Sequence, residues 1–333
     1  MQTFSLRFLL NFSPVFLISP AIFAQFKAST ELVVVDALVE SKKTGAAVRT
    51  LTKSDFEIYE DKVRQEISQF SVDKLPLSIV FLFDMTESVR PVLKPLGEGA
   101  LGAMQHLKSE DEIAVMLYAG RANLAQGFTT DHTLVAHAID SASTMTPGNC
   151  GKKPELCGQP AYFNEGIFTA ATYAHKSARS SNRRVIIWLT DNVPNVPVEP
   201  EDRVHTEAAA LGLLQESGVV VCALLEHSAM SYAFDAFYTK NPMFALRRKH
   251  HPPGDTGKYA EETGGVVLGA KREEISAKLA DLIDRLRSRY TIGYRPSSPK
   301  PEGTLCKIDV RLTAEALKRE GTADIRARRG YKR

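Results

Sequence analysis

The sequence predicts a doubly wound α/β domain with a mostly parallel six-stranded sheet, set inside a small β-sandwich that both chain ends build. Three observations carry this expectation. Two apolar runs, 78–83 and 185–190, each end on an acid, Asp84 and Asp191. Between about 76 and 288, strand-like apolar runs alternate with helix-like segments, the pattern of a parallel sheet covered on both faces. Period-two alternation is confined to the ends, and neither end is long enough to close a core alone. The 333 residues, 44% hydrophobic and 24% charged, suit one large or two modest globular domains.

Residues 1–24 read as a secretion signal: Arg7 precedes an apolar stretch from Phe8 to Ala24, and Ala24 offers a small residue before a cut at Gln25. An uncleaved N-terminal anchor is the alternative. Residues 25–75 supply the first part of the sandwich. Glu31–Val39 is β-branched, Asp55–Glu60 and Gln65–Val72 alternate, and Asp61-Lys62 is turn-like. Residues 76–288 form the α/β domain, with strands expected at 78–83, 112–119, 124–129, 185–190, 218–225 and 265–269. Helices are expected at 89–108, 131–143, 162–179, 203–217, 255–263 and 272–288. The last of these shows an apolar stripe of Ile275, Leu279, Leu282, Ile283 and Leu286. Residues 289–333 return to alternation at 289–294, 306–312 and 322–328, so the ends together offer about six strands.

The chemistry gathers at the two acids. Asp84-Met85-Thr86-Glu87-Ser88 places a carboxylate and two hydroxyls on one turn, the hard oxygens that Mg²⁺ prefers. Two adjacent parallel strands can bring Asp84 and Asp191 to one sheet edge, where ligands of open α/β sheets bind. Gly97, Gly99 and Gly102 fit Gly-x-Gly-x-x-Gly but lie within the first helix, so close helix packing is their expected role rather than a dinucleotide site. A haloacid dehalogenase-type phosphatase would need an acid where Thr86 stands. No lipase elbow, P-loop or His-Glu-x-x-His motif occurs. Net charge is +3 with no dense basic stretch, which argues against nucleic acid. The tail 326–333 reads as a charged edge strand. Of four cysteines, Cys222 lies in an apolar run and reads as core. Cys150 and Cys157 flank a polar loop, where an exported protein could close a disulfide adding about 2.5 kcal/mol.

The paired motifs Asp84-x-Thr86-x-Ser88 and Asp191 resemble the metal-ion-dependent adhesion site of the von Willebrand factor A domain superfamily. The stretches 111–119, 126–131 and 259–265 look like later landmarks of that domain. With its leader and flanks the chain is most similar to the bacterial, Acidobacteria-type secreted proteins that carry a VWFA-related domain. The resemblance implies a short antiparallel third strand at the sheet edge. It also implies a metal held by Asp84, Thr86, Ser88 and Asp191. Two departures stand against the pattern: Pro160 where a threonine ligand is usual, and Asn192 where a glycine commonly follows the second acid.

The expected function is therefore that of an exported, non-enzymatic protein-binding module. It would use Mg²⁺, or Mn²⁺ or Ca²⁺, to capture an acidic side chain of a partner. The alternative is a metal-free scaffold of the cell envelope that makes its contacts through the 145–160 loop or the 228–250 segment. A hydrolase is the remote third reading. The aromatic segment 227–257 is expected to form a short amphipathic helix over the sheet edge, with a partner-binding insertion as the alternative.

Overall fold

The computed structural model describes residues 32–72, 75–145, 160–195, 205–227, 229–298 and 300–333. The leader and the Cys150–Cys157 pair lie outside the described residues. The N-terminal flank forms β1 (Val33–Ser41), β2 (Phe56–Glu60), β3 (Val63–Gln65) and β4 (Ile67–Val72). The middle of the chain then runs β5 (Leu77–Asp84), α1 (Arg90–Ala103), β6 (Glu112–Tyr118), β7 (Ala122–Thr129), α2 (His132–Ser143) and α3 (Phe163–Ser177). It continues with β8 (Arg183–Thr190), α4 (Glu207–Ser217), β9 (Val220–Leu225), α5 (Ala229–Lys240) and α6 (Pro242–His250). It ends with α7 (Thr256–Thr263), β10 (Val267–Gly269) and α8 (Ile275–Arg287). The C-terminal flank adds β11 (Arg289–Tyr294), β12 (Leu305–Leu312), α9 (Ala314–Glu320), β13 (Ala323–Ala327) and β14 (Gly330–Lys332).

The middle strands form one sheet in the order β10-β9-β8-β5-β6-β7, parallel except for β7 at the edge. The strands at its centre are apolar on both faces because both faces are covered. On one face Ile79, Phe81, Phe83, Val185 and Ile187 meet α1, α2 and α8. On the other, Val80, Leu82, Ile186 and Trp188 meet α3, α4 and Tyr259 of α7. The glycines of α1 sit at helix crossings. A Cβ on Gly99 would lie 2.1 Å from Ile275 Cγ2, and one on Gly97 2.8 Å from Ser143 Cβ. Close packing, not phosphate binding, is therefore what these glycines serve.

Both chain ends share one sandwich. Its sheets run β13-β1-β11-β4 and β14-β12-β2-β3, all antiparallel, with Val35, Ile58, Ile292, Tyr290 and Ile308 in a common core. That makes eight strands among the described residues rather than about six. Asp61 and Lys62 both have positive φ (47° and 71°), the backbone of a two-residue hairpin turn. The sequence reading did not foresee α9. Thr313 caps it and it runs only seven residues, too short for a periodic signal.

A seam of buried charge joins the two parts. Arg183, at the start of β8, donates from Nε to Asp36 Oδ2 of β1 at 2.8 Å and from Nη1 to Leu286 O at 2.7 Å. Burial alone would raise the Asp36 pKa, but the charges and hydrogen bonds around it, those of Arg183 first, hold it below the usual value. Arg289 donates to Gly264 O, the left-handed residue (φ 75°) that ends α7. A Cβ on Gly264 would stand 2.6 Å from the Ala327 carbonyl carbon.

Segment 227–257 departs from expectation. It forms two helices, α5 and α6, broken at Asn241-Pro242, and none of the residues of α6 is buried. The side chains of Tyr232, Phe237, Met243 and Leu246 face outward instead of covering the sheet edge.

Two outcomes follow for stability. Gly264→Ala, which must adopt the left-handed region against a strand, should lower stability by about 1–3 kcal/mol or more. Gly212→Ala, inside α4 with nothing within 4 Å of its Cβ position, should raise it by up to about 1 kcal/mol. Paired urea titrations read both signs. Removing residues 289–333 takes away both neighbours of β1 and the β12 partner of β2, so amides of 33–41 and 56–60 should lose hydrogen-exchange protection. Retained protection at Val35 and Ile58 would contradict the shared sandwich.

Candidate metal centre

Strands β5 and β8 are parallel neighbours, in register from Leu77↔Arg183 to Phe83↔Leu189. After β5 the chain moves outward through β6 and β7, then returns to the other side of β5 as β8. Strand order reverses between β5 and β8, and Asp84 and Asp191 stand at their carboxyl ends. This is the crevice position of an open α/β sheet. Thr86 and Ser88 lie on the turn that leads from β5 into α1. The structure thus brings together the four residues that the motifs single out.

The two acids are bound unequally. Asp84 Oδ1 accepts from Thr86 N at 3.0 Å and Thr86 Oγ1 at 2.6 Å. Its Oδ2 accepts from the Tyr118 hydroxyl at 2.8 Å and from Thr190 Oγ1 at 2.7 Å. Trp188 Nε1 donates to the Tyr118 oxygen at 3.1 Å and holds that ring in place. Asp191 Oδ1 accepts from Val193 N at 3.1 Å, while its Oδ2 is buried with no hydrogen-bond partner. Both acids are fully screened from solvent, and Thr86 and Ser88 are 6% exposed.

Burial without a counter-charge shifts both acids upward. Desolvation is the largest cause at Asp84, and four donated hydrogen bonds only partly offset it. Desolvation and then the Asp84 charge push Asp191 up to about 7, against the Ser88 hydroxyl and the Val193 amide. Burial, with the Asp84 charge behind it, pushes the Tyr118 hydroxyl far up as well, so it stays a donor.

The donor set fits a small hard cation. A buried carboxylate oxygen without a partner is an unsatisfied acceptor, and such groups are costly unless an ion or proton meets them. Thr86 Oγ1 spends its proton on Asp84, which leaves its lone pairs outward. Ser88 Oγ lies 3.5 Å from Thr86 Oγ1. Position 160 supplies no side-chain oxygen. The Ala161 amide beside it donates to Asn195 Oδ1 at 2.6 Å, so the loop at 160–162 meets the loop that follows Asp191. Asn192 takes the left-handed conformation (φ 57°), which asparagine tolerates better than most residues. Its Oδ1 accepts from Thr256 Oγ1 at 2.9 Å, at the start of α7.

Tyr118, Trp188, Thr190 and Asn195 were not singled out from the sequence. A signal existed for Tyr118. It ends the apolar run 113–118, and Asp84↔Tyr118 is the last pair of the β5–β6 register. A second acid-rich cluster, Glu60, Asp61 and Cys306, lies in the sandwich. Glu60 Oε2 accepts from Tyr294 and Tyr331 at 2.7 and 3.0 Å, and Lys300 pairs with Asp61. An ammonium already supplies the positive charge there.

The Asp191 shift sets a pH dependence. Its folded value, about 7, lies above the ordinary 3.8, so the folded chain keeps a proton that the unfolded chain has lost. Without metal, this contribution to stability is complete below about 4 and disappears as pH rises through about 7. Denaturant titrations in chelator from pH 5 to 8 should show wild type losing more stability than Asp191→Asn. Equal slopes would rule out a raised Asp191.

No family model matches the chain, and no curated protein matches it significantly. Among solved structures, an aerotolerance-related membrane protein from Bacteroides fragilis aligns at 13% identity and TM-score 0.43, covering 63% of this chain and 98% of that one. Proximal thread matrix protein 1 from the mussel byssus, with a zinc-occupied MIDAS motif, aligns at 19% and 0.41, over 70% of this chain and 50% of its own. The SpRpn10 VWA domain aligns at 13% and 0.35, over 63% and 95%. Alignments this distant carry no functional weight, and the fold rests on its own topology. A six-stranded sheet with one antiparallel edge strand, reversing its order between two acid-tipped strands, gives the inserted domain a von Willebrand A-like fold.

Proposed function

We propose that this chain is an exported, non-enzymatic protein-binding module whose sheet edge holds a divalent cation. Asp84, Thr86, Ser88 and Asp191 would hold Mg²⁺, or Mn²⁺ or Ca²⁺ in its place, directly or through water. A cation bound there supplies the positive charge that draws an acidic side chain from a partner protein. The single observation that carries the reading is Asp191 Oδ2, a buried carboxylate oxygen with no partner beside a second buried carboxylate. Thr86 and Ser88, each 6% exposed, add neutral oxygens to the cluster. Tyr118 and Thr190 hold Asp84 in one orientation. With Pro160 in the threonine position, the protein supplies few ligands, so binding should be weak and exchangeable.

Export rests on the apolar leader at 1–24, and no helix among the described residues is long and apolar enough to cross a membrane. A non-enzymatic role fits the polar groups around Asp84, which orient it rather than activate a nucleophile. The His205 ring, 2.6 Å from Glu165, stacks on Phe168. The missing ligand at Pro160 favours the second reading, a metal-free scaffold with a proton in place of the cation.

Calorimetry of the full chain separates the two. Millimolar Mg²⁺ or Mn²⁺ should give heat and a thermal upshift in wild type and neither in Asp84→Ala. At about a hundredfold excess over Kd the stabilisation should be about 2.7 kcal/mol. Affinity should rise with pH through about 7, because the proton on Asp191 competes with the ion. Absence of heat and of any thermal shift in wild type would leave the scaffold reading standing.

A further inference from the structure

The α5–α6 hairpin leaves the carboxyl end of β9, the edge that carries Asp84 and Asp191. Its rings pack on one another. Tyr238 lies 5.0 Å from Phe244 and 5.5 Å from Phe237 between centroids, and Phe234 stacks on Tyr238 at 6.4 Å. The outer surface stays bare: Tyr232 is 65% exposed, Phe237 55%, Met243 57% and Leu246 61%. Contiguous exposed apolar side chains of this kind mark interaction surfaces.

The same surface is basic. Lys240 sits at the turn, and Arg247, Arg248 and Lys249 end α6, against a single acid in the hairpin, Asp235. Among the described residues none of these four cations pairs with a carboxylate, and Arg248 Nε is buried without a partner. The α6 dipole favours cations at its end, but it does not supply the acceptors that three side chains can bond.

The hairpin is also tied to the loop of the metal centre. Asn195 Nδ2 donates to the Tyr238 hydroxyl, and Asn195 stands four residues beyond Asp191. On the returning strand of chain, Asn164 Nδ2 donates to Pro252 O at 2.9 Å, and Asn192 holds Thr256. The Asn195–Tyr238 bond therefore links the hairpin that carries these rings and cations to the Asp191 loop.

We infer that this hairpin is the docking surface for a protein segment that interleaves acidic with apolar side chains. The segment's apolar residues cover Tyr232, Phe237, Met243 and Leu246, and its carboxylates meet Arg247, Arg248 and Lys249. The inference deepens the proposed function, since the same segment would also bring the carboxylate that the cation draws. The asparagine ties favour a protein over a lipid surface, because a bilayer would engage the rings and the basic turn without any link to the Asp191 loop.

The test uses the full chain and three labelled synthetic peptides, followed by fluorescence anisotropy. One alternates Glu with Leu and Phe, one has Ser at the apolar positions, and one has Lys for Glu. The Glu/Leu/Phe peptide should bind at least about tenfold tighter than either control, a difference of about 1.4 kcal/mol. That preference should be lost in the triple variant Arg247→Glu, Arg248→Glu, Lys249→Glu and in the double variant Met243→Ser, Leu246→Ser. No position changed in either variant is buried, Arg247 and Arg248 being half-buried and the others exposed, so their melting temperature and Mg²⁺ heat should match wild type. Equal binding of the three peptides, or unchanged binding by the variants, overturns the inference. So does binding to phosphatidylglycerol vesicles without binding to the peptide. If Mg²⁺ gives no heat yet the peptide preference and its loss persist, the metal reading falls and the docking surface stands.

Discussion

Two carboxylates buried side by side at the end of a dry sheet are the constraint on which the site depends. Apolar strands covered on both faces leave no water at their carboxyl ends, so any acid placed there must find protein donors, a proton or a cation. The chain answers differently at the two positions. Asp84 receives four donors, from Thr86, Tyr118 and Thr190. Asp191 receives the Val193 amide and the Ser88 hydroxyl and keeps Oδ2 unmet. Had both acids been fully satisfied, the edge would be inert. Had neither been, the like charges would drive the edge apart. The asymmetry leaves one acceptor whose occupant can exchange.

Such an edge is useful only on a frame that does not yield, and the sandwich supplies part of that frame. It is not a separate body hung from the α/β domain. Arg183 reaches from the first residue of β8 to Asp36 on β1, and Arg289 caps α7 at Gly264, where Ala327 of β13 packs without room for a Cβ. Asp111 links the base of the sheet in the same way. It accepts from Leu77 N at the start of β5 and pairs with Arg287 at the end of α8. These ties lie at the amino ends of the strands. The carboxyl ends, with the turn after β5 and the loop after β8, carry none of these ties.

Much of this was legible in the sequence, for identifiable reasons. The runs 79–83 and 185–189 are apolar at every position because both sheet faces are buried, so strand, length and terminal acid stand out together. The stripe on α8 is readable because one face alone packs. The hairpin at 229–250 was misjudged because an aromatic stripe looks the same whether it faces a core or a partner, and only the tertiary packing distinguishes them. The donors to Asp84 were missed for a different reason. Tyr118 and Thr190 read as ordinary ends of buried strands, and their roles appear only when the register places Tyr118 opposite Asp84. Helix α9 is too short to leave a periodic trace.

The two departures from the adhesion-site pattern then take on different meanings. Pro160 removes an oxygen and gives nothing back to the cation, so it is a loss. Asn192 is an exchange. A glycine would take the left-handed backbone at less strain, yet it would leave Thr256 and the start of α7 without the acceptor that Asn192 Oδ1 provides. Asn195 on Tyr238 fastens the hairpin to the loop beside Asp191, and Asn164 of α3 holds the segment after the hairpin at Pro252. A residue adjacent to a ligand position has thus been given over to positioning a neighbouring surface. Against the adhesion-site pattern, the edge has one side-chain oxygen fewer at position 160 and gains the Asn192 bond to Thr256. Under the proposed function, that arrangement would suit a module whose partner is held mainly by the hairpin, with a cation choosing among carboxylates.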